Sequence, residues 1–252
     1  MNTNSAIAEL VDVLQVKAQA GQRVDFWLRD DDAVEPCVSL DRLLALCDRF
    51  SVPLTLAVIP AYTDDRLAQR LAKIPDVSVA VHGWSHSNYA RVDEKKQELG
   101  NHRPQHEVLA ELMQGFAKLA ELYPGNFVPL LVPPWNRLSV DIVEHLSELG
   151  FIGLSTFGDE IQASLVSINS QVDIMDWKGT RGGRPVDDLF SQITKLVHDG
   201  RSSIGILTHQ LVHDATAWQF LEQLFDATSS HPGASWLPVS HWLGLRNRKM
   251  PR

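Results

Sequence analysis

Two histidines four residues apart, His82 and His86, have a spacing that suits joint binding of a metal ion. Gly83 follows the first of them, and a tight turn at a glycine allows both imidazole rings to face one point. The chain contains 10 histidines, so a pair with this spacing also arises by chance, and a structural role is the alternative interpretation. The pair therefore indicates a metal site only together with further ligands.

Three consecutive aspartates, Asp30, Asp31 and Asp32, directly follow an apolar segment. Carboxylates at the end of a buried strand are costly unless their charge is neutralised, and a divalent cation neutralises it well. One aspartate with two histidines forms a 2-His-1-carboxylate set, which leaves coordination positions open and accommodates zinc, iron or cobalt. An adjacent aspartate that is not a ligand can then take a proton from the attacking water. The alternative for the acidic run is a solvated turn.

A further histidine, His209, follows a different apolar segment and is a candidate general acid. An imidazole with its ordinary pKa of about 6.5 can donate a proton to a leaving amine near neutral pH. The alternative is a structural histidine at the end of a strand.

These candidates lie in an alternating pattern of short apolar runs and amphipathic helical stretches. Such alternation is typical of parallel strands joined by right-handed crossovers, in a barrel or a doubly wound sheet. The predicted strands are 23–28, 54–59, 77–81, 127–132, 151–154, 172–175 and 204–207. The predicted helices are about 5–20, 40–50, 65–73, 106–123, 140–149, 186–198 and 217–227. Each candidate segment follows a strand, so we expect them together at the carboxyl ends of the strands, where α/β barrels carry active sites.

The composition favours one globular α/β domain. The chain has 252 residues, of which 44% are hydrophobic and 21% charged, and no linker marks a domain boundary. Lys plus Arg total 23 and Asp plus Glu total 31, so the net charge of −8 argues against nucleic acid as a partner. No apolar run approaches the roughly 20 residues that span a bilayer, so we expect no membrane association.

The cysteines and the N-terminal residues favour the cytoplasm. Cys37 and Cys47 are the two cysteines, without a CxxC pair, which fits a reducing compartment and excludes a cysteine zinc site. Residues 1–22 carry Glu9 and Asp12 and lack the basic and apolar regions of a secretion signal. We therefore expect a cytoplasmic protein.

With these residues in this order, the chain resembles the polysaccharide deacetylase (NodB-homology) family of carbohydrate esterases. The resemblance covers residues 24–209. It implies a distorted (β/α)7 barrel, formed by a single domain of residues 1–252 with the N-terminal helix (about 5–20) packed outside the barrel.

The first two motifs of the family imply a metal site. A strand ending in Asp-Asp matches Asp31 and Asp32, which implies Asp31 as the catalytic base and Asp32 as a metal ligand. The extra Asp30 leaves this register open by one residue. The motif His-x-x-x-His matches His82 and His86 and implies that they are the other two ligands.

The third motif, Arg-x-Pro-aromatic, matches Val-Pro-Pro-Trp, so Val132 stands where the family has arginine. Pro134 and Trp135 are retained and are expected to line the substrate site, with the Trp135 backbone N–H helping to hold the oxyanion. In the family the arginine steadies the base, so Arg29 or Arg137 must substitute for it if activity is retained.

The last two motifs imply the acid and part of the pocket. Asp-Ile-Met-Asp-Trp resembles the fourth motif, which implies that Asp176 tunes the acid and Trp177 lines the pocket. Ile-Leu-Thr-His resembles the fifth, which implies Leu207 beside the acetyl group and His209 as the general acid.

The function implied by the resemblance is hydrolysis of a non-peptide C–N bond, removing an acetyl or other acyl group from an N-acetylated sugar or related amide. The implied cofactor is one divalent metal, zinc first, with Co²⁺, Fe²⁺ or Ni²⁺ as alternatives. The missing arginine keeps a non-catalytic carbohydrate-binding relative open, and a small non-sugar amide is the other alternative substrate. A non-haem Fe(II) oxygenase uses the same ligand types, but the alternating helices argue against it. The sequence does not indicate an oligomeric state.

Overall fold

The computed structural model describes residues 3–158 and 165–245. The helices are α1 (Thr3–Gln19), α2 (Val38–Phe50), α3 (Asp65–Leu71), α4 (Gln105–Leu122), α5 (Val140–Val143), α6 (Val186–His198) and α7 (Ala215–Thr228). The strands are β1 (Val24–Ala33), β2 (Leu54–Val58), β3 (Val77–Val81), β4 (Phe127–Leu131), β5 (Gly153–Leu154), β6 (Val166–Ser167), β7 (Val172–Asp173), β8 (Ser203–Thr208) and β9 (Ala234–Trp236).

Contacts divide the chain into two compact units. Unit 1 comprises the residues up to Asp30 together with Cys37–Leu54 and Ser170–Pro238. Unit 2 comprises Asp31–Pro36, Thr55–Asn169 and the residues from Val239 onward. Two of the boundaries fall inside the strands β1 and β2 rather than in a linker.

Unit 1 is built on parallel strands. β1 pairs with β8 in a register that runs from Asp25 opposite Ser203 to Asp30 opposite Thr208. β9 also pairs with β1, and β7 pairs with β8, again in parallel. Helix α1 packs against α6 and α7. On α6, Leu189, Phe190 and other buried residues recur at helical spacing, which gives the helix one apolar face.

Unit 2 has the strand order β6-β5-β4-β3-β2. β3 pairs with β4, β4 with β5, and β5 with β6, all in parallel. The end of β1 belongs to this unit, where the Ile59 N–H donates to the Ala33 carbonyl at 3.0 Å. Helix α4 contacts β3 and β4. Its Gly115 permits close packing, because a Cβ atom there would lie 2.9 Å from Cγ of Pro60.

The α/β class and the distorted (β/α)7-barrel type predicted from the sequence are confirmed by these parallel strands and the helices between them. All predicted strands and helices are present. Two short strands, β6 with 2 residues and β9 with 3, were not predicted. Among the described residues, no helix has the length and apolar character needed to cross a membrane.

The largest differences from the predicted boundaries are at β1 and α5. β1 continues through the aspartates to Ala33, because their backbone groups still pair with neighbouring chain segments. α5 ends at Val143 rather than near residue 149. The following turns use shorter-range bonds, such as the one from the His145 N–H to the Ile142 carbonyl at 3.2 Å.

Candidate metal centre

The structure brings Asp32, His82 and His86 together in unit 2. One potential ligand atom from each residue lies within 4.8 Å of the other two. Oδ1 of Asp32 is 3.1 Å from Nε2 of His82 and 3.2 Å from Nε2 of His86. The His82 side chain is only 2% exposed, whereas those of His86 and Asp32 are 24% and 31% exposed. The cluster is therefore closed on one side and open to solvent on the other.

The buried His82 is oriented by a backbone group. It directly follows β3, and its Nδ1 lies 2.8 Å from the carbonyl oxygen of Val132. A carbonyl can only accept, so Nδ1 carries the proton in this contact and Nε2 is left to face Asp32. Such a contact fixes the tautomer and the ring orientation of a metal-binding histidine. Val132, which lacks the side chain expected of the third motif, thus supports the centre through its main chain.

Four residues with side chains in this region adopt left-handed backbone conformations. The φ angles are 72° at Asp32, 56° at His86, 55° at Trp135 and 57° at Asn136. Each such conformation costs on the order of 1 kcal/mol or more for a residue with a side chain, so the surroundings must impose it. The strain is therefore concentrated at the candidate centre.

A buried carboxylate that sequence reasoning missed supports the turn between the two histidines. Glu98 is fully buried. Its Oε1 accepts from the backbone N–H of Ser85 at 2.7 Å, and its Oε2 accepts from the backbone N–H of Trp84 at 3.3 Å. A Cβ atom on Gly83 would collide with this carboxylate and lie 2.7 Å from Cγ of Pro134. The glycine is therefore required by the close approach of Glu98 and Pro134.

The surroundings shift the pKa values of the two histidines in opposite directions. Burial alone would lower the pKa of His82, but its hydrogen bond to Asp32 and the charges of Asp31 and Asp32 outweigh burial and raise that pKa. Burial, followed by the charge of His82, lowers the pKa of His86. Metal binding requires both rings to be neutral, so it competes with protons here.

The donor set fits a divalent metal ion. Two imidazole nitrogens and one carboxylate oxygen are the ligand types of catalytic zinc and non-haem iron sites, which keep open positions for water or substrate. The gradient from the buried His82 to the more open Asp32 leaves a side from which a substrate can approach.

The other predicted residues of unit 2 surround this cluster. Asp31 is 2% exposed and immediately precedes Asp32. The Trp135 ring lies 4.3 Å from the His86 ring, and the buried Pro134 lies against Gly83.

The two arginines expected to replace the missing one lie in different places. One N–H of the Arg137 guanidinium donates to the carbonyl of Lys96 at 3.0 Å, which ties the side chain to a loop. Arg29 is fully buried in β1, two residues before Asp31. Arg29 is therefore the stronger candidate for steadying that carboxylate.

In unit 1, His209, Trp177 and Leu207 are placed by β7, β8 and the segments that follow them. The rings of Trp177 and His209 pack edge to face, 4.7 Å apart. The Trp177 indole N–H donates to Oδ2 of Asp173 at 2.8 Å, which holds the indole beside the histidine. Leu207 is fully buried in β8. Asp173 is a further residue that sequence reasoning did not assign.

The structure does not show the expected hydrogen bond from Asp176 to the candidate acid. The Asp176 carboxylate instead accepts from the backbone N–H groups of Gly179 at 3.1 Å and Thr180 at 3.0 Å. Nδ1 of His209 is buried and has no hydrogen-bond partner among the described residues. The reason is local: a turn directly follows Asp176, and a short carboxylate readily satisfies the N–H groups of such a turn.

Comparisons with known proteins identify the fold. No family model and no curated protein sequence matches the chain. Among solved structures, a protein of Mycobacterium smegmatis named as a polysaccharide deacetylase is 18% identical, with a TM-score of 0.66 over 92% of this chain and 95% of that one.

Two further solved structures have the same arrangement. The Bc1960 peptidoglycan N-acetylglucosamine deacetylase is 14% identical, with a TM-score of 0.60 over 89% of this chain and 90% of that one. A mutant of BA3943, described as a CE4 family pseudoenzyme with restored enzymatic activity, is 14% identical, with a TM-score of 0.60 over 88% of this chain and 68% of that one. The chain therefore shares the fold of the CE4 polysaccharide deacetylases.

Proposed function

We propose that this protein is a metal-dependent hydrolase that removes an acetyl or other acyl group from an N-acetylated sugar or a related amide. The observation that carries the proposal is the convergence of Asp32, His82 and His86 on one point, within 4.8 Å of one another. The left-handed backbone conformations in this cluster support a role beyond ordinary packing. So do the hydrogen bonds from His82 to Val132 and from the turn between the histidines to Glu98.

In this proposal Asp32, His82 and His86 hold one divalent cation, zinc first, with Co²⁺, Fe²⁺ and Ni²⁺ as the alternatives. The chemistry supplied by a bound cation is Lewis acidity, which polarises the acyl carbonyl and makes water easier to deprotonate. The open side of the cluster would admit the acyl group.

The chain's own residues would carry the proton transfers. Asp31 accepts a proton from the attacking water, whose oxygen forms a bond to the acyl carbon. The backbone N–H of Trp135 donates to the oxygen that becomes negative. His209 gives a proton to the nitrogen as the C–N bond breaks, so that a carboxylate and an amine leave. Trp177 and Leu207 would line the pocket for the acetyl group and the sugar.

Two other functions have a specific observation in their favour. Val132 in place of an arginine favours a non-catalytic carbohydrate-binding protein, and one structural neighbour is itself described as a pseudoenzyme. The prediction of a cytoplasmic location, which remains a prediction, favours a glycan precursor or a small non-sugar amide over an external polymer.

The test is acetate release by the purified protein loaded with Zn²⁺ or Co²⁺, measured on a panel of N-acetylated sugars and simple amides. We expect release from at least one N-acetylated sugar and its loss in Asp31→Asn, which should still bind the sugar. Sugar binding without acetate release, in the wild type loaded with each metal, would instead support the non-catalytic alternative.

A further inference from the structure

A cavity lies beside the candidate metal centre within unit 2. Its volume is about 570 Å³. One wall is formed by the loop of residues 94–102 and the other by residues 136–138, which directly follow Trp135. The lining residues are Glu94, Lys95, Gln97, His102, Asn136, Arg137 and Leu138.

The two walls of this cavity are attached to each other. Leu99 is buried and forms a parallel bridge with Leu138, and the Ser139 N–H donates to the Leu99 carbonyl at 2.8 Å. The bond from Arg137 to the carbonyl of Lys96 adds a second link. The cavity is therefore a preformed part of the fold.

The charge in the cavity is opposite to that of the whole chain. Within the described residues, neither Lys95 nor Arg137 forms an ion pair. The lining carboxylate, Glu94, already accepts from Nε2 of His102 at 2.8 Å and from the backbone N–H of Arg91 at 3.1 Å. The net charge of the protein is −8, so two unpaired cations at one cavity are a local exception.

The cavity adjoins the candidate centre through one aromatic ring. Nζ of Lys96 lies 5.8 Å from the centroid of the Trp135 ring, within the range of a cation–π contact. The Trp135 ring also packs against the His86 ring, with the ring centroids 4.3 Å apart. A substrate held at the centre can therefore extend past Trp135 toward the cations Lys95 and Arg137, one on each wall of the cavity.

We propose that this cavity binds an anionic group, a carboxylate or a phosphate, carried by the acylated substrate. Arg137 uses one N–H donor on the Lys96 carbonyl and has further donors in a planar array that matches an oxyanion, while Lys95 adds a point charge. This inference rests on the proposed function and narrows its substrate to an anionic N-acyl sugar.

Calorimetric titration of the full chain with three ligands tests the inference without requiring turnover. The ligands are N-acetylglucosamine, N-acetylglucosamine 6-phosphate and N-acetylmuramic acid, which carry no anion, a phosphate and a carboxylate. We expect at least one anionic sugar to bind about tenfold more tightly than the neutral one, the effect of a charge-assisted hydrogen bond. The preferred ligand identifies the group, and high salt should weaken its binding.

The variant Lys95→Gln/Arg137→Gln should lose this preference and keep its affinity for the neutral sugar. Lys73→Gln, an exposed lysine elsewhere in unit 2, is the matched control and should retain the preference. Equal binding of all three ligands, or a preference that survives the double substitution, would overturn the inference. If the preference is present but no sugar is deacetylated, the proposed function fails while the anion site stands.

Discussion

Three carboxylates near the candidate centre occupy environments that suit different tasks. Asp32 faces both histidines and is partly exposed, whereas its neighbour Asp31 is buried. Glu98 forms its hydrogen bonds with the turn between the two histidines, whose backbone N–H groups donate to its oxygens. The proposed function accordingly gives these three residues of the same charge the roles of ligand, base and positioning residue.

Replacing Glu98 with Gln should weaken metal binding. The amide keeps one acceptor oxygen but turns N–H donors toward the backbone N–H of either Trp84 or Ser85, so the turn would shift and its histidines would lose their alignment. We expect Co²⁺ affinity to fall by roughly 10- to 100-fold. Competition with a chromophoric chelator measures the change, and Glu107→Gln, an exposed residue at the start of α4, is the control. Unchanged affinity in Glu98→Gln would show that the carboxylate is dispensable.

The pH dependence of activity tests whether Asp176 tunes His209 or only holds its own turn. A plot of activity against pH should be bell-shaped, because Asp31 must be ionised and His209 protonated. Asp176 accepts from turn N–H groups rather than from His209, so Asp176→Asn should leave the alkaline limb in place. If that limb moves to lower pH, the carboxylate tunes the acid as the sequence motif implies.

At the scale of elements, periodicity in the sequence predicted every strand and helix long enough to show a repeat. β6 and β9 were missed, and β5 and β7 are shorter than the ranges predicted for them, 151–154 and 172–175. The predicted site segments lie where parallel strands end, which follows from the alternation of strands and helices. Glu98 lies in a loop whose sequence shows no motif or periodic pattern. The Val132 carbonyl is a backbone group of a kind that every residue carries. Neither could be assigned before the tertiary contacts were known.

The segment after β8 should make the stability of the fold sensitive to acid. Burial, followed by the charge of His209, lowers the pKa of His213 from 6.5 to about 4. Its ring hydrogen-bonds Thr208 of β8 and packs against Trp218 of α7. Below pH 6.5 the unfolded chain therefore binds a proton at His213, whereas the folded chain binds it only near pH 4. The free energy of unfolding falls as the pH is lowered from 6.5 to 4.

His213→Gln should reduce that sensitivity. Between pH 7 and pH 4.5 we expect the loss in the free energy of unfolding to be roughly 2 kcal/mol smaller in this variant than in the wild type. Urea titrations at the two pH values measure it. His198→Gln, at the exposed end of α6, should behave like the wild type. An equal loss in His213→Gln and the wild type would rule out His213 as the source.

At the scale of the whole molecule, the fold and the donor cluster depend on different interactions. The apolar side chains that fill the cores of both units are distinct from the candidate ligands, of which His82 is buried and Asp32 and His86 are partly exposed. Removal of a metal should therefore leave the secondary structure intact, while its binding should raise the melting temperature by stabilising the folded state alone. A protein of this kind can lose its function without losing its fold.

The most direct test is the metal content of the purified protein, measured by elemental analysis for the wild type and for His86→Ala. We expect about one divalent ion per wild-type chain and an affinity lowered by orders of magnitude in the variant, with circular dichroism unchanged. Acetate release should disappear together with the metal. A His86→Ala protein that retains both the ion and the activity would contradict the assignment of Asp32, His82 and His86 as the metal centre.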